Sequence, residues 1–454
     1  MISPIFFNTL TRKMQEIKPL QEGHLKIYVC GPTVYDRPHL GNARSIVVYD
    51  LLFRFFKEIF PQVTYVRNIT DVDDKINAAA KEKNISIQQL TNEIIGFFNH
   101  DINALNVLSP TFQPKATQHI AEMILMIEKL LENKHAYISN NHVLFDVQSY
   151  KNYGALSNRN LDELISGSRV EIAEYKKNPL DFVLWKPSSK DDDESSVFQS
   201  PWGLGRPGWH IECSAMSEKY LGANFDIHGG GADLQFPHHE NEIAQSCCAN
   251  EGSHFAQFWI HNGFLTVNGE KMSKSLKNFI TVFDLLQQKI SGTVIRFMLL
   301  SSQYRKPFDF NEKVLEDSKK SLEKFYSVIS LADFSTKISV PNEILTALAD
   351  DLNFSKAIAF LHDLAKRIKV ENDKNLKEQM AKSLDFLGFF DASFFAKESV
   401  SNADEAYIES QIIKRAELKK QKDYAGADVV RNELLKQGIA LEDIAGGKTI
   451  FKKI

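Results

Sequence analysis

Four residues that are far apart in the sequence could together hold a metal ion. Two of them are the thiols Cys30 and Cys213. The other two, His238 and Glu242, are four residues apart in a segment, 236–246, that is predicted to be helical. Residues i and i+4 lie on one helix face, so this imidazole and carboxylate can converge on one ion. Two thiolates, an imidazole and a carboxylate suit zinc, although spacing alone also allows two core cysteines and an exposed helix start.

A motif of the form HxGN, made by His39, Gly41 and Asn42, could bind phosphate. It falls between a predicted strand and a predicted helix, where free N–H groups and the positive end of the helix dipole favour an anion. Gly41 lets the backbone approach closely, and both polar side chains can donate hydrogen bonds. An ordinary polar loop is the alternative interpretation of this motif.

The sequence KMSKS at residues 271–275 is a second candidate phosphate site. It follows Asn268-Gly269, a pair typical of a tight β-hairpin. Lys271, Lys274 and two hydroxyls make a cationic loop that could hold a triphosphate and neutralise charge on departing pyrophosphate. A solvated basic turn is the alternative.

The elements that would position these residues are predicted from hydrophobic periodicity. Residues 25–30 alternate and end at a Gly-Pro turn, so they read as a strand, as do residues 63–69. Residues 46–56 are apolar on nearly every side, which indicates a buried helix. This strand–helix–strand unit builds a parallel sheet whose ligands bind at the carboxyl ends of the strands.

The rest of the chain is predicted to continue this α/β pattern and then to become helical. The further predicted elements are a helical region at 87–131, an insertion with short strands at 137–185, a helix at 209–220, a strand at 225–228, a helical bundle at 311–390, a polar linker at 397–405, and two helices and a terminal strand at 407–454.

Composition narrows the function classes. An apolar fraction of 43% and a charged fraction of 25% exclude a wholly disordered chain. No uncharged apolar stretch is long enough to span a membrane, and the N-terminus lacks the basic segment of a signal peptide. The four cysteines are too few for a disulfide framework in a chain of 454 residues and suit a reducing cytosol. The net charge of −4 neither predicts nor excludes nucleic-acid binding.

Several long motifs resemble those of the bacterial cysteinyl-tRNA synthetases, which are class I aminoacyl-tRNA synthetases. They extend nearly from end to end of the chain. The matching stretches are YVCGPTVYD (28–36), NITDVDDK (68–75), GWHIECSAM (208–216), the run 226–242 and KMSKS (271–275).

The resemblance implies a role for each matching residue. It implies that the zinc ligands are Cys30, Cys213, His238 and Glu242. It implies that the catalytic residues are His39, Asn42, Lys271 and Lys274, and that Gly41 and Asp233 join them in binding ATP. It implies that the cysteine substrate is bound by Gly31, Thr70, Trp209 and His228.

The implied activity is that of a cysteine–tRNA ligase. Cysteine would be activated by ATP, with Mg²⁺ on the phosphates, and transferred to the 3′ end of tRNA(Cys), with zinc selecting the thiol. We expect a cytoplasmic monomer that does not bind membranes. Since a soft metal can distinguish a thiol from a hydroxyl, a hydrolytic editing domain is not needed.

The resemblance also implies an α/β fold: a split Rossmann catalytic domain with a parallel sheet and a connective insertion, followed by an α-helical bundle and a small mixed α/β C-terminal domain. The expected domains are the first Rossmann half (1–120), the connective insertion (121–205), the second Rossmann half (206–262), a stem-contact region that carries KMSKS (263–310), the bundle (311–398) and an anticodon-binding domain (399–454).

Two departures from the family pattern and three rival functions remain. Asn42 stands where the family has a second histidine, and residues 449–451 lack the tryptophan that relatives often carry. Residues 411–454 have a net charge of +4, from ten basic and six acidic side chains, and the basic ones could meet RNA phosphates.

The rival functions are those of a ligase that joins cysteine to an amino-sugar on the same core, a non-catalytic zinc and tRNA-binding protein, and a zinc hydrolase.

Overall fold

The computed structural model describes residues 2–158, 173–189, 192–272, 278–421, 423–436, 439–444 and 448–453. Lys274, predicted to contact ATP, lies outside these residues.

The strands are β1 (Ile5–Asn8), β2 (Lys13–Glu16), β3 (His24–Val29), β4 (Gln62–Arg67), β5 (Ala136–Ser139), β6 (His142–Phe145), β7 (Phe182–Pro187), β8 (Gly205–Pro207), β9 (Asn224–Gly231), β10 (Phe255–Asn262), β11 (Leu265–Val267), β12 (Glu270–Lys271), β13 (Phe308–Phe310), β14 (Ile439–Ile444) and β15 (Lys448–Lys453). The α-helices are α1 (Leu40–Ile59), α2 (Asp74–Lys83), α3 (Ile87–Ala104), α4 (Ile120–Glu132), α5 (Trp209–Leu221), α6 (Glu240–Ala249), α7 (Val282–Gln287), α8 (Gly292–Leu300), α9 (Glu312–Tyr326), α10 (Asn342–Ala349), α11 (Phe354–Glu371), α12 (Lys374–Phe386), α13 (Ala392–Lys420) and α14 (Tyr424–Lys436).

A parallel sheet with the strand order β10-β9-β3-β4 forms the centre of the larger unit. Helix α1 connects β3 to β4, and α6 connects β9 to β10, so the sheet is made of two strand–helix–strand units. The first unit was predicted from hydrophobic periodicity, whereas strand β10 of the second was not. The connections run in opposite directions from β3 and β9. Ligands of open parallel sheets bind in the crevice at such a switch point, outside the carboxyl ends of the strands.

Helix α1 is held by burial on nearly all its sides. Val47, Leu51 and Phe55 are each fully buried, in agreement with the apolar pattern that predicted the helix. It is longer than predicted because His39 caps its N-terminus and adds the HxGN residues to its first turn.

Two of the smaller sheets correspond to features predicted from the sequence. Strands β5 to β8 form an antiparallel sheet in sequence order, in the region where an insertion with short strands was predicted. The β11–β12 hairpin turns at Asn268 (φ 51°) and Gly269 (φ 81°). Both residues have a left-handed backbone conformation, as a two-residue turn of this kind requires. Strand β13 pairs with β11 in parallel and extends this hairpin to three strands.

The helical prediction for 87–131 is wrong in its middle. The chain leaves the helical conformation between α3 and α4, where Asn106 is left-handed (φ 54°) and Pro110 and Pro114 cannot continue a helix. The helical prediction for 311–390 is confirmed by α9 to α12.

A second compact unit comprises Ser330–Ala332 and Asp391–Ile454. The polar linker predicted at 397–405 is wrong, because α13 runs through it without a break. The segment contains no glycine or proline, so it has no residue that would end a helix. The terminal strand is a hairpin, β14–β15, that packs on α14. The core of this unit consists of Ile408, Val430, Leu434, Ile439 and Leu441.

Among the described residues, no helix is long and apolar enough to cross a membrane.

Candidate active site

The four predicted metal ligands meet at the carboxyl edge of the central sheet. Cys30 directly follows β3, and Cys213 lies in the middle of α5. His238 lies in a single π-helical turn, Gln235–His239, that leads into α6, where Glu242 occupies the first turn. The predicted helix at 236–246 is therefore interrupted by extended backbone at Phe236, yet His238 and Glu242 still share one face.

The distances within this cluster are those of a group that could share one ion. Cys30 Sγ is 3.7 Å from Cys213 Sγ and 3.3 Å from Glu242 Oε1. His238 Nε2 is 3.0 Å from the same oxygen. Two sulfurs bound tetrahedrally to zinc at about 2.3 Å would be about 3.8 Å apart, so the S–S separation fits this metal. One ligand atom from each of the four residues lies within 4.8 Å of the others.

A second group of potential ligands overlaps the first. It shares Cys30 and Glu242 and adds His228 and His239. His239 Nε2 is 3.4 Å from Cys30 Sγ, but 4.0 Å from Glu242 Oε1. His228 Nε2 is instead 2.8 Å from Glu242 Oε2, the oxygen on the far side of the carboxylate. The first group has two thiolates, which makes it the better set of zinc ligands, and the added histidines then surround it.

The charges of the cluster balance by pairing. Burial disfavours a charged His238, but Glu242 and Cys213 outweigh this effect and raise the pKa of His238 to about 10. Burial raises the pKa of the Cys30 thiol, whereas a hydrogen bond from Cys30 lowers the pKa of Cys213 to about 6. The cluster therefore favours a Cys213 thiolate beside a protonated His238. A divalent metal would take over the role of the proton on His238 as the positive charge next to the thiolate.

His238 is held by two aromatic neighbours on α5. The Trp209 ring stacks on it with centroids 4.1 Å apart, and Trp209 is itself 38% exposed. His210 Nδ1 is 2.9 Å from His238 Nδ1. Because Nδ1 is occupied, His238 presents Nε2 to the cluster. Trp209, predicted to bind substrate, thus forms a wall between the cluster and solvent.

Two further predicted substrate residues line the same crevice. Gly31 N donates to Asn68 Oδ1 at 2.8 Å, and a Cβ at Gly31 would lie 1.6 Å from the Asn68 carbonyl oxygen. Thr70 Oγ1 accepts a hydrogen bond from the Asn68 amide and donates to Glu212 Oε2 at 2.8 Å. Only glycine fits at position 31, so the backbone beside Cys30 stays close to the end of β4.

The HxGN motif forms the N-terminus of α1. His39 Nδ1 accepts hydrogen bonds from Gly41 N at 3.0 Å and Asn42 N at 3.3 Å. Asn42 Oδ1 accepts in return from His39 N at 3.2 Å. Burial lowers the pKa of His39, although nearby Asp233 opposes this effect. Asn42 therefore completes a reciprocal cap through its side-chain oxygen, and its amide nitrogen takes no part in that cap.

The segment after KMSKS is fixed to the same helix start. Leu40 N donates to Ile280 O at 2.9 Å, and the His39 ring meets the Phe279 ring edge-on at 5.1 Å. On the other side of the loop, Lys271 ends β12 and is exposed. A Cβ on Gly41 would lie 3.3 Å from Met272 Cε, so the residue after Lys271 lies beside the HxGN motif.

Reasoning from the sequence missed the partners that orient the cluster. His239, His210 and Glu212 are not among the predicted site residues, although each is adjacent in sequence to a residue that is. The motif letters HH and WHIEC could have indicated them, because buried metal ligands require hydrogen-bonded neighbours. Burial raises the pKa of Glu212, whose carboxylate accepts a hydrogen bond from the Thr70 hydroxyl.

Comparison with known proteins agrees with this architecture. A family model described as tRNA synthetases class I (C) catalytic domain matches residues 16–320, and one described as DALR domain matches residues 344–391. The solved structure of Mycobacterium tuberculosis methionyl-tRNA synthetase in complex with methionyl-adenylate is similar with a TM-score of 0.58, at 15% identity, covering 81% of this chain and 89% of that one. At that identity the likeness shows the fold alone.

Sequence relatives are much closer. The chain is 51% identical over 456 residues to a cysteine–tRNA ligase of Rickettsia bellii, covering 98% of this chain and 99% of the relative. It is 51% identical over 455 residues to a cysteine–tRNA ligase of Ehrlichia ruminantium, with the same coverage. The chain therefore belongs to the cysteine–tRNA ligase family of class I aminoacyl-tRNA synthetases.

Proposed function

We propose that Cys30, Cys213, His238 and Glu242 hold a zinc ion that selects the thiol of the substrate cysteine in the ligase reaction. The observation that carries this proposal is the 3.7 Å separation of the two sulfurs beside a buried imidazole–carboxylate pair. When bound, zinc would favour a thiolate ligand over a hydroxyl and lower the pKa of the substrate thiol.

The need for a metal follows from the size of the discrimination. Serine and alanine are close to cysteine in size, and a pocket that reads shape alone separates such small groups by only about 1–3 kcal/mol. Gly31, Thr70 and Trp209 then enclose the rest of the amino acid next to the cluster. His228 is fully buried on Glu242, so its part in binding cysteine is to orient that carboxylate.

Adenylate formation needs charge stabilisation and no protein nucleophile. The carboxylate of cysteine attacks the α-phosphate of ATP, and pyrophosphate leaves. The side chains of His39 and Asn42 and the ammonium group of Lys271 are the groups that would meet the phosphates. The N–H groups of Leu40, Gly41 and Asn42 would not, because they already donate to Ile280 O and His39 Nδ1. We assign Lys274 the same task from its position in KMSKS, and Asp233 a place beside the nucleotide. Mg²⁺ would be held mainly by the phosphates.

The second step transfers cysteine to the terminal ribose of tRNA. We infer that the C-terminal unit recognises the anticodon, since its residues 411–454 are basic in an otherwise acidic chain. The family match favours this activity over the amino-sugar ligase, the non-catalytic protein and the zinc hydrolase. We place the enzyme in the cytoplasm, where its tRNA substrate is used; the monomeric state stays a prediction.

The test of the zinc proposal is Cys30→Ser, with zinc quantified and cysteine-dependent ATP–pyrophosphate exchange measured on the same sample. We expect loss of both zinc and exchange. Cys247→Ser is the matched control, because Cys247 is a partly buried thiol on α6 outside the cluster. Unchanged zinc content and unchanged cysteine activation in Cys30→Ser would refute the proposal.

The role of the KMSKS loop is tested separately with Lys271→Ala. We expect slower pyrophosphate exchange at saturating cysteine and an unchanged KM for cysteine. A loss that appears only in the KM for cysteine would mean that Lys271 does not act on the phosphates.

A further inference from the structure

Arg44, in the second turn of α1, is a fully buried cation that the proposed mechanism does not use. All of its described hydrogen-bond acceptors are uncharged. The acceptors are the carbonyl oxygens of Gly263 (2.8 Å), Phe264 (2.9 Å), Lys306 (2.9 Å), Gln303 (3.4 Å) and Tyr304 (3.4 Å), and the hydroxyl of Ser302 (3.1 Å). Burial lowers the pKa of Arg44 to about 10.

This arrangement is costly as a way to fill the core. A buried cation loses its hydration, and backbone dipoles compensate for that loss less fully than a carboxylate would. An apolar side chain of similar volume could pack against Phe308, whose ring centre lies 5.4 Å from the guanidinium, but it would not bind these carbonyl oxygens. Packing alone therefore does not account for an arginine at this position.

The two chain segments that Arg44 holds are those that lead into the lysine-bearing hairpin. Residues 263–264 run directly into β11, and residues 302–306 run towards β13. Strand β11 pairs with β13 on one side and with β12 on the other, where Thr266 lies opposite Lys271. Asp309 on β13 also binds Thr266 Oγ1 and Gly269 N, both at 2.7 Å, which fixes the turn. The three strands thus form one small rigid body attached to Arg44.

The other end of Arg44 belongs to the helix that begins at the HxGN motif. A triphosphate must be contacted by His39 and Asn42 from one side and by Lys271 from the other. The distance between these groups therefore depends on how the base of the hairpin is fixed to α1. The guanidinium suits this task because its planar array of donors can bind several carbonyls at once, which a lysine ammonium cannot do in the same geometry.

We propose that Arg44 is a positioning residue for adenylate formation: it fixes the base of the β11–β12–β13 sheet to α1, and so sets Lys271 at the correct distance from His39. This inference rests on the proposed role of Lys271 on the phosphates. It assigns Arg44 no contact with ATP, cysteine or the metal cluster.

The test is Arg44→Lys in the full-length enzyme, with kcat and both KM values measured by ATP–pyrophosphate exchange. We expect kcat to fall by about 10- to 100-fold, since small misplacements of a reacting group have effects of this size. Zinc content and the KM for cysteine should stay unchanged, because the cluster lies at the end of β3, on α5 and at the start of α6, outside the hairpin.

Arg296→Lys is the matched control. Arg296 is also fully buried and also binds carbonyl oxygens, those of Leu387 at 2.8 Å and Leu105 at 3.1 Å. It differs from Arg44 in having a carboxylate partner, Asp50, and none of its described hydrogen bonds or ion pairs reaches residues 263–264 or 302–306. We expect Arg296→Lys to lower Tm with little change in kcat. If both variants lose kcat in proportion to their loss of Tm, Arg44 has only a structural role and the inference is wrong.

The double variant distinguishes this inference from the proposed function. If Arg44 acts through Lys271, adding Arg44→Lys to Lys271→Ala should change kcat by less than about twofold. Fully additive losses overturn the inference and leave the role of Lys271 intact. If Lys271→Ala alone leaves exchange unchanged, the proposed function of the loop has failed, and this inference fails with it.

Discussion

Glu242 and His228 meet through a 2.8 Å contact between Oε2 and Nε2, with both side chains fully buried. The contact leaves Oε1 of the carboxylate directed at Cys30 and His238. His228 therefore orients Glu242, a proposed metal ligand, through the carboxylate oxygen that faces away from the other three proposed ligands. Such partners of metal ligands control affinity without touching the metal.

His228→Ala is expected to weaken zinc binding by about 10- to 100-fold, because Glu242 would lose the partner that fixes its orientation. Competition with a chromophoric chelator measures the change. His24→Ala is a matched control, since His24 also makes a 2.8 Å contact, with Thr64, but lies at the start of β3. Equal zinc affinities in the two variants would contradict this prediction.

Removal of the C-terminal unit should separate the two steps of the reaction. A chain ending at Phe390 is expected to retain ATP–pyrophosphate exchange, because the cluster, the HxGN motif and Lys271 all belong to the larger unit. It should bind tRNA more weakly and with a smaller salt dependence, since basic residues of 411–454 are lost. Filter binding at several salt concentrations tests this. Unaltered tRNA charging by the shortened chain would show that the unit is not needed.

Replacing glycine by alanine should have opposite effects on the free energy of unfolding at positions 31 and 96. Gly31→Ala is expected to destabilise the protein by about 1–3 kcal/mol or more, because the new Cβ would overlap the Asn68 carbonyl. Gly96→Ala is expected to stabilise it by about 0.5–1 kcal/mol, because Gly96 is an exposed position inside α3 with no atom within 4 Å of a new Cβ. Denaturant unfolding measures both. A Gly31→Ala protein of normal stability would mean that the close approach is not rigid.

An acid-sensitive contact joins α2 to the antiparallel sheet. Asp74 Oδ2 is 2.9 Å from Lys186 Nζ, and Asp74 Oδ1 accepts from Arg206 Nε at 3.0 Å. Partial burial raises the pKa of Asp74, but the two cations outweigh it and lower the pKa below its usual value. The contact therefore stabilises the fold above the pKa of about 3.9 that Asp has in the unfolded chain, and this stability is lost as the pH falls through the lower folded value.

Asp74→Asn should accordingly have a lower Tm than the parent at neutral pH, and the difference should shrink as the pH falls below about 4. Glu316→Gln serves as the control, because Glu316 and Lys320 form an exposed helix pair of little energetic value. A Tm difference between Asp74→Asn and the parent that does not change with pH would show that the charge of Asp74 is not the cause.

The sequence was most informative where one motif contains both a residue and the element that carries it. Asn268-Gly269 predicts the hairpin that carries Lys271, and this prediction is confirmed, because turn geometry depends on a few adjacent residues. The apolar pattern predicts a helix only from residue 46, whereas α1 begins at Leu40 because His39 caps it. The proximity of Cys30 and Cys213 could not be predicted in this way, since no local rule brings the residue after β3 close to a residue on α5. It was inferred from resemblance and depends on the order of strands in the sheet.

The wrong predictions have physical causes. The polarity of segment 397–405 predicts a linker, but polar residues without glycine or proline are compatible with an exposed helix. The hydrogen-bond network of Arg44 could not be predicted at all, because its acceptors, five backbone carbonyls and one hydroxyl, belong to residues more than 200 positions away. Hydrophobic periodicity carries no information about such contacts.

The cap at the start of α1 fixes which hydrogen of His39 is available for chemistry. An imidazole nitrogen that accepts from two peptide groups carries no proton of its own, so the ring of His39 must be protonated at Nε2. In the proposed site, His39 would then offer a single neutral N–H to a phosphate oxygen, and Asn42 would offer an amide. Neither of these groups would supply positive charge, so the ionic part of triphosphate binding would fall to the lysines and to Mg²⁺. Nucleotide affinity should therefore change little across the pH range in which a free imidazole would titrate.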